Sequence, residues 1–205
     1  MNNLSQTLEP GHRRCGCGNL NLDDPALAVL PAVPLTAAEI ADLTAMREEE
    51  KVARDVYLRL FDRWGLRPFG KISGSEQSHM DMLLIMLDRH GLPDPVRRLD
   101  VGEFNSPQMQ KLHDDLLARG LLSETEAVST GLLIEELDII DLRQAARRTS
   151  RPDLRLVYAK LEQGSRNHLR AFNRWLNGLA GHYDPVHLTR AEYDAIAKAE
   201  HEPCG

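Results

Sequence analysis

The sequence predicts an all-α protein: a four-helix bundle with one long crossover that contains a short extra helix. Three observations predict it. Apolar residues recur at spacings of three and four over four long stretches, the period of one helix face. Alanine, leucine, arginine and glutamate dominate the composition, which favours helix, and no stretch shows the alternation of a strand. The second and third long helices are separated by about 30 residues, where an up-and-down bundle has short loops throughout.

Residues 1–34 carry Gly11, Gly16, Gly18, Pro25, Pro31 and Pro34 without sustained periodicity and read as a flexible N-terminal arm. Thr36 and Glu39 form a capping box that opens the first helix, which runs to Trp64 and stops at Gly65. The second helix starts between Phe69 and Ser75, its first turn blurred by Gly70, Ser73 and Gly74. It ends at His90 and Gly91, with Pro93 and Pro95 beyond. Ser106 and Pro107 open a shorter helix to Arg119, stopped by Gly120. Ser123-x-x-Glu126 reads as another capping box, for a helix to Thr149. Pro152 opens the last long helix, to Leu179, closed by Gly178 and Gly181. Thr189 caps a terminal helix through Ala199. The bundle domain is thus expected over residues 35–200, followed by a tail of 201–205.

Polar residues interrupt the inward stripes. The first runs Leu43, Met46, Glu50, Ala53, Tyr57, Leu60, and the second Ile72, Glu76, His79, Leu83, Met86. The third long helix gives Val128, Leu132, Glu135, Ile139, Leu142, and the last Tyr158, Leu161, Ser165, His168, Phe172. A buried carboxylate costs several kcal/mol unless it is paired or binds a metal. One such residue is an accident, but several on different helices point to a shared ligand. Carboxylates bridge two cations, neutral imidazole caps each, and Glu-x-x-His places both side chains one turn apart. Glu50, Glu76, His79 and His168 are therefore candidate metal ligands. Glu135 joins them from the third long helix, and Glu136 competes with it from about 100° around the helix.

Blander readings stand beside these. Glu50 has Arg54 and Lys51 as surface partners on its own helix. Asp138, one turn after Glu135, offers a second carboxylate that would compensate for Ser165, but Asp138 and Asp141 read first as capping groups or partners of Arg143 and Arg147. Tyr57 reads as a core or supporting residue. His90 and His113, at helix ends, read as solvated. The run Arg143, Arg147, Arg148, Arg151 and Arg155 reads as a solvated helix end, and a net charge of −6 argues against a general nucleic-acid binder. No run of about 18 apolar residues exists, so no membrane span is expected. Without a signal-peptide core after Met1, the expected compartment is the cytoplasm. Cys15, Cys17 and Cys204 make no disulfide framework, and His12-x-x-Cys15-x-Cys17 lacks the spacing of a standard zinc knuckle.

The segments carry a resemblance. Glu50-Lys-Val-Ala-Arg-Asp-Val-Tyr57 looks like the first metal-binding helix of rubrerythrins, and Ser75-Glu76-Gln-Ser-His79-Met like their second. Gly164-Ser165-Arg-Asn-His168-Leu-Arg-Ala-Phe172 looks like their fourth, with Ser165 where they have glutamate. Together with Glu135-Glu136-Leu-Asp138-Ile-Ile-Asp141-Leu142, the chain from Leu35 to Ala199 is similar to a ferritin-like family known as domain of unknown function 2202. The resemblance implies a ferritin-like bundle and a site for two divalent metal ions, iron first and manganese as the alternative. It does not supply a reaction. The functional expectation is an oxidoreductase of the ferroxidase or peroxidase type acting on oxygen, peroxide or ferrous iron. A metal-binding or helical interaction module without turnover is the alternative, and a purely structural bundle, whose buried acids pair with Arg54, Arg166 or Arg170, is a third. The expected partners are small molecules, with neither nucleic acid nor membrane, and a homodimer is allowed.

Overall fold

The computed structural model describes residue 30 and residues 33–203. The Cys15/Cys17 segment and Cys204 lie outside these residues. Six helices and no strand are found among the described residues: α1 (Ala37–Trp64), α2 (Arg67–Arg89), α3 (Pro107–Gly120), α4 (Glu124–Arg148), α5 (Pro152–Gly178) and α6 (Arg190–Lys198).

Local chemistry sets most of their ends. Thr36 Oγ1 accepts from the Glu39 backbone N–H at 3.3 Å, and Glu39 Oε2 accepts from the Thr36 backbone N–H at 2.9 Å. The other oxygen of Glu39 accepts from Thr149 Oγ1 at 2.6 Å, tying the start of α1 to the end of α4. Gly65 closes α1 at φ 66°, a left-handed conformation that suits glycine. Thr189 and Glu192 make a full capping box on α6.

Three helix ends depart from the sequence expectation. α2 begins at Arg67, with Pro68 in its first turn, so Gly70 is fully helical. The glycine is there because a Cβ would lie 2.9 Å from the Phe61 ring, where α1 turns tightly into α2. Ser123 caps α4 through the Glu126 N–H, but the Glu126 side chain pairs with Arg119 instead of completing a box. Beyond α5 the left-handed residue is Ala180, at φ 52°.

The long helices pack as α1 on α2 and α4 on α5, with α1 also against α4 and α2 against α5. The short α3 lies on α1 and α4, and α6 on α5. Two apolar clusters result. One gathers Ala53, Tyr57, Phe69, Ile72, Leu132 and Phe172, and the other Leu43, Met46, Leu83, Met86, Leu142 and Leu161. Every long helix passes from one cluster to the other. In α1, α2 and α5 the polar inward residues fall at the crossing (Glu50, Glu76 with His79, and His168), and in α4 Glu135 stands before it, between Ile134 and Ile139 of the first cluster. α1 and α5 cross in one direction, α2 and α4 in the other.

The segment between α2 and α4 is anchored on the flank of α1. Arg47 makes two bonds to Asp94, each 3.1 Å. Lys51 and Asp55 form a fully buried ion pair. Lys51 Nζ also donates to the Asp100 carbonyl at 2.7 Å, and Asp55 accepts from the Gly102 N–H at 2.9 Å. Arg47, Lys51 and Asp55 follow a spacing of four, so α1 is buried on this stripe as well as on the inward one.

Candidate metal centre

The centre is built across four helices around Glu76. Its two oxygens face different imidazoles: Oε2 lies 2.7 Å from His79 Nδ1, and Oε1 lies 2.8 Å from His168 Nδ1. Glu50 Oε2 is 3.1 Å from His79 Nδ1, and Glu135 Oε2 is 3.4 Å from His168 Nδ1. The rings of His79 and His168 stack with centroids 5.4 Å apart. All five residues are buried, Glu135 and His79 completely. Ligand atoms of Glu76, His79 and His168 lie within 4.8 Å of one another.

Short separation here does not mean hydrogen bonding. Both oxygens of Glu76, Oε2 of Glu135 and Nδ1 of His168 are buried with no hydrogen-bond partner. Such groups are ordinarily satisfied, because each orphan costs about 1–3 kcal/mol or more. His79 Nδ1 and Glu50 Oε2 do share a hydrogen bond at 3.1 Å, while the oxygens of Glu76, Oε2 of Glu135 and Nδ1 of His168 converge without one. The neighbouring lysine and arginine side chains pair elsewhere. Arg54 goes to Asp55 and Gln77, and Lys51 to Asp55. Arg166 and Arg170 go to Glu202.

The supporting contacts fix the ring and carboxylate positions. Ser75 Oγ lies 2.9 Å from His168 Nε2, leaving Nδ1 to face the centre. The Tyr57 hydroxyl donates to Glu135 Oε1 at 2.6 Å. Beneath these, the Tyr57, Phe69 and Phe172 rings pack with centroids 5.2–5.8 Å apart. Gly131 admits Phe172, whose ring would lie 2.8 Å from a Cβ there.

Electrostatics divides the group. Burial pushes the Glu50 carboxyl up to about 7 against the pull of His79. Burial acts on Glu76 too, but His168 and His79 outweigh it and hold its carboxyl far below the usual range. Burial opposes charge on His168, yet Glu76 and Glu135 raise it to about 10. His79 is raised well above its ordinary value by Glu50 and Glu76 in the same way. Burial raises Glu135, and it raises Asp138 strongly with the help of Glu50, Glu135 and Glu76. Asp138 is therefore a further carboxylate of this neighbourhood, not a partner of Arg143, which pairs with Glu162.

Of the six sequence candidates, Glu50, Glu76, His79, Glu135 and His168 meet, and Glu136 does not join them. Its Oε2 accepts three backbone N–H groups, from Val186, His187 and Leu188, at 2.7–3.0 Å. The step of about 100° around α4 turns it to the loop before α6. Ser165 is buried, and its hydroxyl donates to the Leu161 carbonyl one turn back. His113 is buried, contrary to the solvated reading, because Phe104 of the long connection covers it. The His90 side chain is also covered, 3.3 Å from Asp153. Ser75 was not anticipated, since it stands one residue off the α2 stripe. Within the basic run, Arg143, Arg148 and Arg151 pair with Glu162, Asp42 and Asp153. No helix among the described residues is long and apolar enough to cross a membrane.

Residues 39–200 match the family described as uncharacterized protein domain DUF2202, and the chain belongs to it. The chain is 41% identical over 176 residues to the uncharacterized protein MJ0754 of Methanocaldococcus jannaschii, covering 86% of this chain and 95% of that one. It is also similar to the crystal structure of hypothetical protein MJ0754 from Methanococcus jannaschii. That match has a TM-score of 0.82 at 42% identity, covering 84% of this chain and 99% of the other.

Proposed function

We propose that this chain is a ferritin-like four-helix bundle with one long crossover, and that it holds two divalent metal ions, iron first and manganese second. We assign it an oxidoreductase role on oxygen, peroxide or ferrous iron. The fold reading is supported by the order in which the helices cross the two apolar clusters. α2 and α4 run the same way, so the chain between them must return along the length of the molecule.

One observation carries the metal reading. Both Glu76 oxygens are buried against imidazole nitrogens without a hydrogen bond, and no lysine or arginine among the described residues pairs with them. Glu50, Glu76, Glu135 and Asp138 carry four negative charges when ionised. Two protonated imidazoles leave that set at −2, and two divalent cations with neutral imidazoles bring it to zero. Glu50, Glu76 and His79 would hold one ion, and Glu76, Glu135 and His168 the other. Asp138 offers the carboxylate that Ser165 lacks. Two such ions, when bound, would supply redox chemistry towards an oxygen-type reactant. Ser75 holds the His168 ring with Nδ1 towards the centre, Tyr57 orients Glu135 through its hydroxyl, and the flanking apolar clusters limit access of water.

Metal analysis of protein expressed without chelator tests this reading. Two equivalents of iron or manganese per chain are expected, falling sharply in Glu76→Gln. Protein that carries no metal and binds no Co(II) on titration overturns it.

A further inference from the structure

An acidic recess opens beside the centre, between α1, α3 and α4. Its cavity measures about 80 Å³, and a water needs about 10–15 Å³ on that scale. Val52, Leu116 and Ile134 supply apolar walls. The charged groups lining it are three carboxylates, Glu49, Asp138 and Asp141, and none makes an ion pair among the described residues. Glu49 and Asp141 are partly exposed, while Asp138 is 6% exposed. Asp138 Oδ2 and Glu49 Oε2 are both buried without a hydrogen-bond partner. The recess shares two walls with the centre, because Glu49 precedes Glu50 on α1 and Asp138 lies one turn past Glu135 on α4.

We propose that this recess is the route by which a divalent cation reaches the centre. Glu49 and Asp141 capture it at the mouth, and Asp138 passes it to Glu50. The proposal rests on the metal-centre reading above. Carboxylate oxygens between apolar walls favour a dication over an anion or an apolar solute, and the partly exposed Glu49 and Asp141 at the mouth raise the local cation concentration and the association rate. Uncommitted oxygens replace the waters that a cation sheds as it moves inward. A second cavity, of about 260 Å³ between α5 and α6, is lined by Arg190 and Lys198 as well as Asp194. Its charge is mixed, and it offers a dication no such gradient.

The test is the rate of Co(II) uptake by the full-length apoprotein, followed by ligand-field absorption in a stopped-flow instrument. The double variant Glu49→Gln, Asp141→Asn should load at least about tenfold more slowly and with a weaker salt dependence, yet reach the wild-type Co(II) content. Each single substitution should give part of the effect, so a misfolded double variant does not decide the matter. The exposed pair Asp62→Asn, Asp88→Asn removes the same charge and should change the rate by no more than about twofold. Uptake at the wild-type rate in the recess variants overturns the route and leaves the centre standing. A lower final content in them makes these carboxylates ligands and also overturns the route. A wild-type protein that takes up no Co(II) removes centre and route together.

Discussion

The hydroxyl of Tyr57 on α1 donates to Glu135 on α4 across 2.6 Å, so a phenol from one helix holds a carboxylate of another in place. Tyr57→Phe removes this donor and leaves Glu135 Oε1 buried without a partner. The expected cost is about 1–3 kcal/mol of stability. Metal affinity should fall about 10- to 100-fold, as it does when a group orienting a ligand is lost. Thermal melting and Co(II) titration of the variant check the two effects separately.

Adjacent glutamates on α4 should behave oppositely. Glu135→Gln is expected to lose metal and keep its helix content. Glu136→Gln should keep its metal, because its carboxylate serves the N–H groups of residues 186–188. Removing that charged acceptor should lower stability by about 1.5–3 kcal/mol. Metal content and denaturant midpoint, measured on both variants, read this out. Metal loss in Glu136→Gln would mean that α4 is rotated relative to the description above.

The buried pair of Lys51 and Asp55 anchors the long connection. Asp55→Ala strands the Lys51 charge and should cost about 3–5 kcal/mol. The double variant Lys51→Met, Asp55→Leu removes both charges and should recover much of that loss. Urea unfolding of the two proteins is the measurement, and a double variant no more stable than Asp55→Ala would contradict the account.

The C-terminal segment gives a pH prediction. Hydrogen bonds from Arg166, with Arg170 adding to them, hold the Glu202 carboxyl down at about 2, below its ordinary 4.5. A lowered folded value favours the folded state fully above 4.5, and the advantage disappears as pH falls towards 2. The difference in melting temperature between wild type and Glu202→Gln should therefore be constant from pH 5.5 to 7 and shrink steadily below about 4.5. A difference that does not change with pH would mean that Glu202 acts only through its backbone bonds to Asn167.

Inward stripes and capping residues carry much of this fold in the sequence. Thr36, Gly65, Pro107 and Pro152 mark helix ends because capping and φ restriction are local properties. Stripe position likewise puts Glu50, Glu76, His79, Glu135 and His168 on inward faces, where they meet. What escaped depends on distant chain. Lys51 and Asp55 look like a solvated face until the connection from Asp94 to Phe104 lies over them, and only their spacing of four with Arg47 hinted at a second buried stripe. Ser75 matters because the His168 ring reaches it across 93 positions of sequence. Glu136 was a close rival to Glu135, since the three N–H groups that claim it come from a loop with no periodicity to read.

The layer of carboxylates and imidazoles that separates the two apolar clusters bears on how the molecule unfolds. Apolar contact is what ordinarily makes a small domain melt as one unit, and this layer interrupts it where α1, α2 and α5 pass from one cluster to the other. Without bound cation, the ends of the molecule should therefore melt with reduced cooperativity, and backbone amides in the two clusters should exchange with different opening energies. A cation pair gripping all four helices at that level would couple the ends into one folding unit and raise its stability with metal concentration, by about 4 kcal/mol at a thousand times Kd.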